Sequence, residues 1–320
     1  MSYKERIIGE FVYNPVAEEP YHDFLSYYIP ARAEDLAGKA LEFRFDNVPT
    51  LFLYFQDGKN LYWSWAASPV LHAEYDCIKG EDNIYMIVFP VIDAGEERLI
   101  TMIWDQFTDL VTLVLSQKGP EDSPALVSSS VFFGVRVRVD KPLPSLRHSW
   151  TSELVGKRIL WQYNPNAEVM HIFYSPTRMR LGYSEPKLID NPTDSQWKQY
   201  VKYIERKGGV YPFYEEPTRY VRIRENFYLY IVLEENLYHR IHHQGGSELL
   251  VMLDTKRMRY VGRACGVSPQ QKLTFGIIGA VGSYSNEPDE VEMWPSPYDS
   301  NEDEDKNPVH EQRYAQFGLK

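Results

Sequence analysis

Cysteine is nearly missing from this chain: 320 residues hold two, Cys77 and Cys265, and no CxxC pair. That argues against a disulfide framework or a thiolate zinc site, and a reducing cytoplasmic compartment is the expectation. The start, MSYKERIIGEF, has no apolar signal core, and no run approaches the ~18 apolar residues of a membrane helix. Positive charge is also short, with 34 Lys and Arg against 45 Asp and Glu and a net charge of −11. Binding to nucleic-acid phosphate needs a basic surface, so neither nucleic acid nor membrane is expected as a partner. Nor is there a P-loop, a GxGxxG after a strand, an HExxH or a GxSxG elbow, so the chain is read as needing no cofactor.

The acidity is unevenly placed. The segment EPDEVEMWPSPYDSNEDEDKNP opens an acidic stretch, and residues 285–320 read as a mostly disordered tail. RVRVDK (136–141) is the densest basic run, and strand alternation would put its arginines on one solvated face. Aromatic residues are abundant instead, 14% of the chain with 24 tyrosines. They suit strands and ligand cavities, because they combine a large apolar face with a polar tip.

The informative pattern is internal. LAGKALEFRF from Leu36 and LVGKRILWQY from Leu154 align without a gap, so Gly38 meets Gly156 and Phe55 meets Phe173. EYDCI (74–78) then resembles RYVRI (219–223), NIYMIV (83–88) resembles NFYLYI (226–231), and MIWD (102–105) pairs with VMLD (251–254). Matching blocks in one order indicate a duplication. Each block alternates as a strand, and turn signals such as DGKN (57–60) separate them. About eight short strands per copy predict an all-β protein of two tandem up-and-down antiparallel barrels with few short helices. The expected layout is an N-terminal extension over 1–35, a first barrel over 36–140, a linker over 141–153 and a second barrel over 154–284. The second barrel carries an insertion over 185–217, and SQWKQYVKYIERKG within it is the best helix candidate.

LAGKALEFRFDN, LVGKRILWQYNP, HIFY and RYVRIRENFYLYIV together resemble the MoaF family, over roughly 36–115 and 154–265 with the second copy closer. The resemblance implies paired lipocalin-like (calycin) domains and a small-molecule cavity. The chain departs from the family pattern at the 185–217 insertion and around the histidines of YHRIHHQGG (238–246).

Alternation proposes the inward residues. In the first copy these include Trp63, Trp65, Tyr75 and Cys77; in the second, Trp161, Tyr163, His171, Tyr183, Tyr220 and Arg222. The first lumen is then apolar, while the second acquires a histidine and an arginine that are costly to bury unpaired. A ligand anion, Glu234 or a tyrosine hydroxyl would pair with them; alternatively a bulge puts them in solvent. On the ligand reading, Arg222 stabilises developing negative charge, His171 is the acid–base group and Tyr183 assists. Trp161, Tyr163, Tyr220, Tyr228, Tyr230, Glu234, Trp63 and Trp65 shape the pocket. His239, His242 and His243 read as a barrel rim rather than a metal site: His239 and His243 share a face but stand about 13 Å apart on a strand. The triplet His72, Glu74 and Asp76 shares an outward face. The expected function is a cofactor-independent isomerisation, cyclisation or lyase step on a small hydrophobic or aromatic metabolite, with a non-catalytic carrier as the rival and a homodimer left open.

Overall fold

The computed structural model describes residues 28–66, 68–93, 95–119, 127–164, 167–183, 214–234, 247–268 and 271–285. Among these there is no helix, and eighteen strands form two nine-stranded antiparallel sheets. The first contains β1 (Ala40–Phe45), β2 (Leu51–Phe55), β3 (Asn60–Trp65), β4 (Leu71–Glu74), β5 (Asp76–Glu81), β6 (Ile84–Asp93), β7 (Glu96–Asp105), β8 (Leu110–Lys118) and β9 (Val127–Val137). Its order runs β4-β3-β2-β1-β9-β8-β7-β6-β5. Only Tyr75 separates β4 from β5, so one bent segment pairs with both ends of the sheet and completes the ring.

The second sheet contains β10 (Ser149–Trp150), β11 (Arg158–Asn164), β12 (Ala167–Ile172), β13 (Arg178–Tyr183), β14 (Tyr214–Arg224), β15 (Phe227–Glu234), β16 (Ser247–Asp254), β17 (Arg259–Val267) and β18 (Leu273–Tyr284). Pairing of β14 with β15 closes eight of them into a barrel, and β10 adds to the outside of β14. Residues 185–213 of the expected insertion, with their helix candidate, lie outside the described residues. Tyr214 to Pro217 are not insertion but the start of β14, paired with β13.

The duplication is visible in backbone geometry. Gly38 and Gly156 both take positive φ, 76° and 89°, a conformation that costs glycine nothing. Their amides donate to Phe55 and Phe173 carbonyls respectively. Alternation holds in β1 and β2: Leu41, Phe43, Phe45, Leu51, Leu53 and Phe55 are buried inside the first barrel while Arg44 and Phe52 are exposed. The basic run behaves differently from its expectation. Arg136 is half-buried, with its guanidinium 5.1 Å from the Trp104 ring centroid, because it faces the buried Phe43 across the ladder.

In β15 and β16 every residue is buried, not every second one. Their outward side chains have a second core to fill, between the barrels. Ile78, Ile84, Met86, Val88, Ile103 and Val114 of the first barrel meet Val221, Phe227, Leu229, Ile231, Leu250 and Met252 of the second. The approach is close enough that a Cβ on Gly80 would stand 2.4 Å from the Phe227 ring. Within this apolar zone lies Arg263, with no solvent exposure. It is ion-paired to equally buried Glu248, and it donates to Ser116 Oγ (2.7 Å) and Thr101 Oγ1 (3.1 Å) of the other barrel. Ser116 donates in turn to Glu248 (2.8 Å). A second cross-barrel set joins Arg224 to Asp105 (2.6 Å), Asn83 (3.0 Å) and Glu81 (3.2 Å).

The extension contributes as well. Tyr28 donates to Gln162 of the second barrel, while Arg32 pairs with Asp76 and bonds the Gly58 carbonyl of the first.

Truncating one member of a buried ion pair strands the other, at a cost of about 3–5 kcal/mol. Arg263→Ala is therefore expected to lower the urea midpoint severely. The double substitution Glu248→Leu with Arg263→Met is expected to recover most of that loss, which equilibrium unfolding of both variants would measure.

Candidate functional site

The two lumens can be compared position by position, because the chain carries its own control. Without a gap, Phe43, Phe45, Leu53 and Phe55 correspond to Trp161, Tyr163, His171 and Phe173. Beyond the insertion, hydrogen bonds set the correspondence. Ala33 N donates to Cys77 O as Thr151 N donates to Tyr220 O. Cys77 faces Ile87 across the ladder as Tyr220 faces Tyr230. Cys77 is thus the counterpart of Tyr220, Ile87 of Tyr230 and Val91 of Glu234. In the returning hairpins Asp109 and Met258 both take positive φ, making Val111 the counterpart of Tyr260.

This register corrects one expectation. Arg222 is not the counterpart of Cys77 inside the lumen but of Lys79 at the barrel end. Lys79 faces Tyr85 as Arg222 faces Tyr228. Each basic residue shares a carboxylate with its tyrosine: Asp35 accepts from Lys79 (2.8 Å) and Tyr85 (2.7 Å), and Glu153 accepts from Arg222 (2.9 Å) and Tyr228 (2.8 Å). The Arg222 side chain is 45% exposed. These are end caps of the two barrels, repeated with the duplication. Burial would raise the Asp35 carboxyl, but the bonds from Lys79 and Tyr85 outweigh it and hold it below its ordinary value. Burial and the bond to Glu153 push Tyr228 up to about 12. A position that serves as a cap in both copies gives Arg222 no access to the lumen centre.

What the lumen centre of the second barrel holds is a hydrogen-bonded aromatic cluster. His171 is buried, with Trp161, Phe173, Tyr230 and Tyr260 at ring-centroid distances of 6.4, 6.2, 5.9 and 6.1 Å. Tyr230 Oη lies 3.1 Å from His171 Nδ1, and Tyr163 donates to Tyr260 Oη at 2.9 Å. The Tyr230 and Tyr260 rings stand 5.9 Å apart, so the two hydrogen-bonded pairs, Tyr163–Tyr260 and Tyr230–His171, abut as a chain of four polar side chains. Burial alone drives the imidazole down to about 3, so it is neutral at physiological pH. Burial likewise pushes Tyr230 and Tyr260 well above the ordinary phenol value. Tyr220 is buried against Phe173. Every polar member of this chain replaces an apolar counterpart: Leu53, Phe45, Ile87 and Val111 in the first barrel are all buried hydrophobics.

Glu234 completes the set. It lies on the same face of β15 as Tyr230, buried, with Ser247 donating to its carboxylate at 3.0 Å. Burial raises it to about 7, offset only partly by that bond. Glu216 on β14 is fully buried too, replacing Ala73. Tyr260 was not singled out by the sequence, although the duplication exposes it once the register is known. Trp63 and Trp65 stand inside the first barrel, packed against each other and, for Trp63, against Phe89. Tyr183 occupies the β13 position facing Val169, and its side chain lies outside the described residues. His239, His242 and His243 lie outside them as well. Among the described residues no group of three His, Cys, Asp or Glu is arranged to hold a metal. His72 is exposed and bonds Asn60 (3.2 Å), and Asp76 is held by Arg32, so the outward triplet is dispersed on the surface.

The fold and this lumen define a class: tandem eight-stranded antiparallel barrels, one packed with hydrocarbon and one with a buried polar chain. Residues 23–119 match the family model described as the MoaF N-terminal domain. Over that stretch, which holds most of the first barrel, the chain is similar to a MoaF N-terminal domain, whereas the closer resemblance was expected in the second copy. Among curated proteins none matches it. No helix of the described residues is long and apolar enough to cross a membrane.

A carboxyl raised in the folded state binds a proton that the unfolded chain has already lost. Glu234 thus stabilises the fold fully below about pH 4.5, and that contribution disappears as pH rises through about 7. Measured by unfolding at a series of pH values, Glu234→Gln should gain on the parent by on the order of 3 kcal/mol across that window. His171, whose folded value is depressed, works in the opposite sense between about pH 3 and 6.5, a window that overlaps this one, so the difference between the two proteins is the quantity to read.

Proposed function

We propose that the second barrel is the active site of a cofactor-independent enzyme acting on a small hydrophobic or aromatic metabolite. The reaction class is isomerisation, cyclisation or a lyase step, in which a proton moves and negative charge develops on oxygen. The observation that carries this reading is the buried chain Tyr163–Tyr260–Tyr230–His171 in a barrel whose duplicate has only hydrocarbon at those positions. Burying polar groups costs stability, and cores without a task need none.

The magnitudes divide the roles. A general acid or base works best with a pKa near the operating pH. Glu234 at about 7 meets that condition, whereas His171 at about 3 does not. Glu234 is therefore assigned the proton transfer. His171 and the tyrosines act as fixed donors toward an oxygen that gains charge, a preorganised environment that needs no rearrangement during reaction. Glu234 and Tyr230 are four residues apart on one strand face, about 13 Å, so a bicyclic or extended aromatic substrate would reach both. Trp161, Phe173 and Tyr220 hold it in a reactive conformer. Two free, buried cysteines accord with a reducing cytosol.

A non-catalytic carrier is the second reading, favoured by the complete burial of Trp161, Tyr220, Tyr230 and Tyr260, which suits tight enclosure. Turnover separates the two. With aromatic pathway metabolites as candidates, Glu234→Gln should lower kcat by about 10²-fold or more with little change in ligand affinity. His171→Leu, which installs the first barrel's residue, should lower both. Tight binding with no product from any candidate would select the carrier.

A further inference from the structure

Three features of the second lumen bear on what enters it. First, Trp161 Nε1 is buried without a hydrogen-bond acceptor. An unmade bond at a buried donor costs about 1–3 kcal/mol, so an acceptor belongs there. Trp104 in the first barrel also lacks one, and its ring stacks on Tyr85 at 5.2 Å with the Arg136 guanidinium 5.1 Å from its centroid. Trp161 borders His171 and Tyr260 instead. Second, the cation that would neutralise an anionic guest is missing among the described lumen residues. Arg222 is at the cap, already paired with Glu153, and Arg263 is on the outside of the barrel with Glu248. Third, the lumen already contains the Glu234 carboxyl, which among the described residues accepts a bond from Ser247. A second negative charge in a low-dielectric enclosure repels it and pays desolvation without return.

We propose that the second barrel selects a neutral aromatic molecule bearing a carbonyl or phenol oxygen, which accepts a hydrogen bond from the Trp161 indole, and that it rejects the corresponding carboxylate. This rests on the second lumen being the ligand site and names the class of ligand. It also reverses the expectation, drawn from an inward Arg222, that an anion would be welcome.

The test uses the full chain labelled with nitrogen-15 in its tryptophan indoles, titrated with benzylacetone and with hydrocinnamate. The two probes differ by a methyl group against a carboxylate oxygen. At about pH 8, where Glu234 is mostly ionised, benzylacetone should move the indole signal that Trp161→Phe removes and leave the Trp104 signal in place. Hydrocinnamate should bind at least about tenfold more weakly, a factor of 1.4 kcal/mol. Glu234→Gln should narrow that gap. Equal or tighter binding of hydrocinnamate, a ketone that leaves the Trp161 signal unmoved, or failure of benzylacetone to bind would each overturn the proposal. No step of this test reads catalysis. A protein that discriminates as described but turns nothing over loses the enzyme reading and keeps the ligand class. One that turns over a carboxylate does the reverse.

Discussion

A guanidinium sealed from water between two barrels constrains nearly everything else in this molecule. Arg263 cannot be left unpaired there, since desolvating a charge costs several kcal/mol before any partner repays it. Its partners come from both sides: Glu248 from its own barrel, Ser116 and Thr101 from the other. Satisfying all of them at once fixes how the barrels are rotated against each other, which apolar packing alone leaves loose. The hydrophobic residues around the pair supply the association energy, and the pair supplies the register. Hence the two outer faces behave as one core, and β15 and β16 are buried on both sides.

That division of labour frees the lumens. A barrel stabilised from outside, by packing against its duplicate, can tolerate polar groups within. The first barrel did not use this latitude. Its interior is continuous hydrocarbon and aromatic packing from Phe43 to Leu113, with Tyr75 and Tyr85 turned toward the ends to reach Asp57 O and Asp35. In the second barrel, tyrosine, histidine and glutamate take the matching places while the end cap, with its carboxylate, tyrosine and cation, is kept. Shared caps and divergent centres are what a duplication leaves when the barrel ends are held constant and the interiors diverge.

The tandem all-β architecture was legible because it rests on local signals: period-two alternation in LEFRF, turn residues such as Asp57 and Gly58, and repeated glycines at Gly38 and Gly156. The inward placement of Trp63, Trp161, Tyr163 and His171 followed from the same alternation. Arg222 failed for a definable reason. RYVRI looks more like EYDCI than like its true counterpart, so matching by residue type slipped the register by two positions. A slip of two keeps every side chain on its face but moves it along the strand. Alternation therefore could not expose the error; only the ladder partners, Tyr85 for Lys79 and Tyr228 for Arg222, reveal it. Arg263 escaped notice because RYVGRACGV reads as an ordinary strand with one wet face. That its face is dry depends on a neighbouring barrel, which no local pattern encodes.

The same comparison changes what kind of chemistry the lumen suits. With Arg222 inside, the site would carry a mobile positive charge and a titrating histidine, a set-up for binding anions. With it outside, the interior holds donors that stay neutral, the buried Glu216, and in Glu234 a carboxyl poised near neutrality. Neutral donors stabilise charge that develops on a substrate oxygen without first binding a charged ground state, so they act selectively on the transition state. The desolvation that makes His171 a poor base at physiological pH is the condition that keeps it a fixed neutral partner for Tyr230. The same desolvation lifts Glu234 into the range where it can both take and return a proton. One physical cause, exclusion of water by aromatic packing, thus sends two titratable groups in opposite directions.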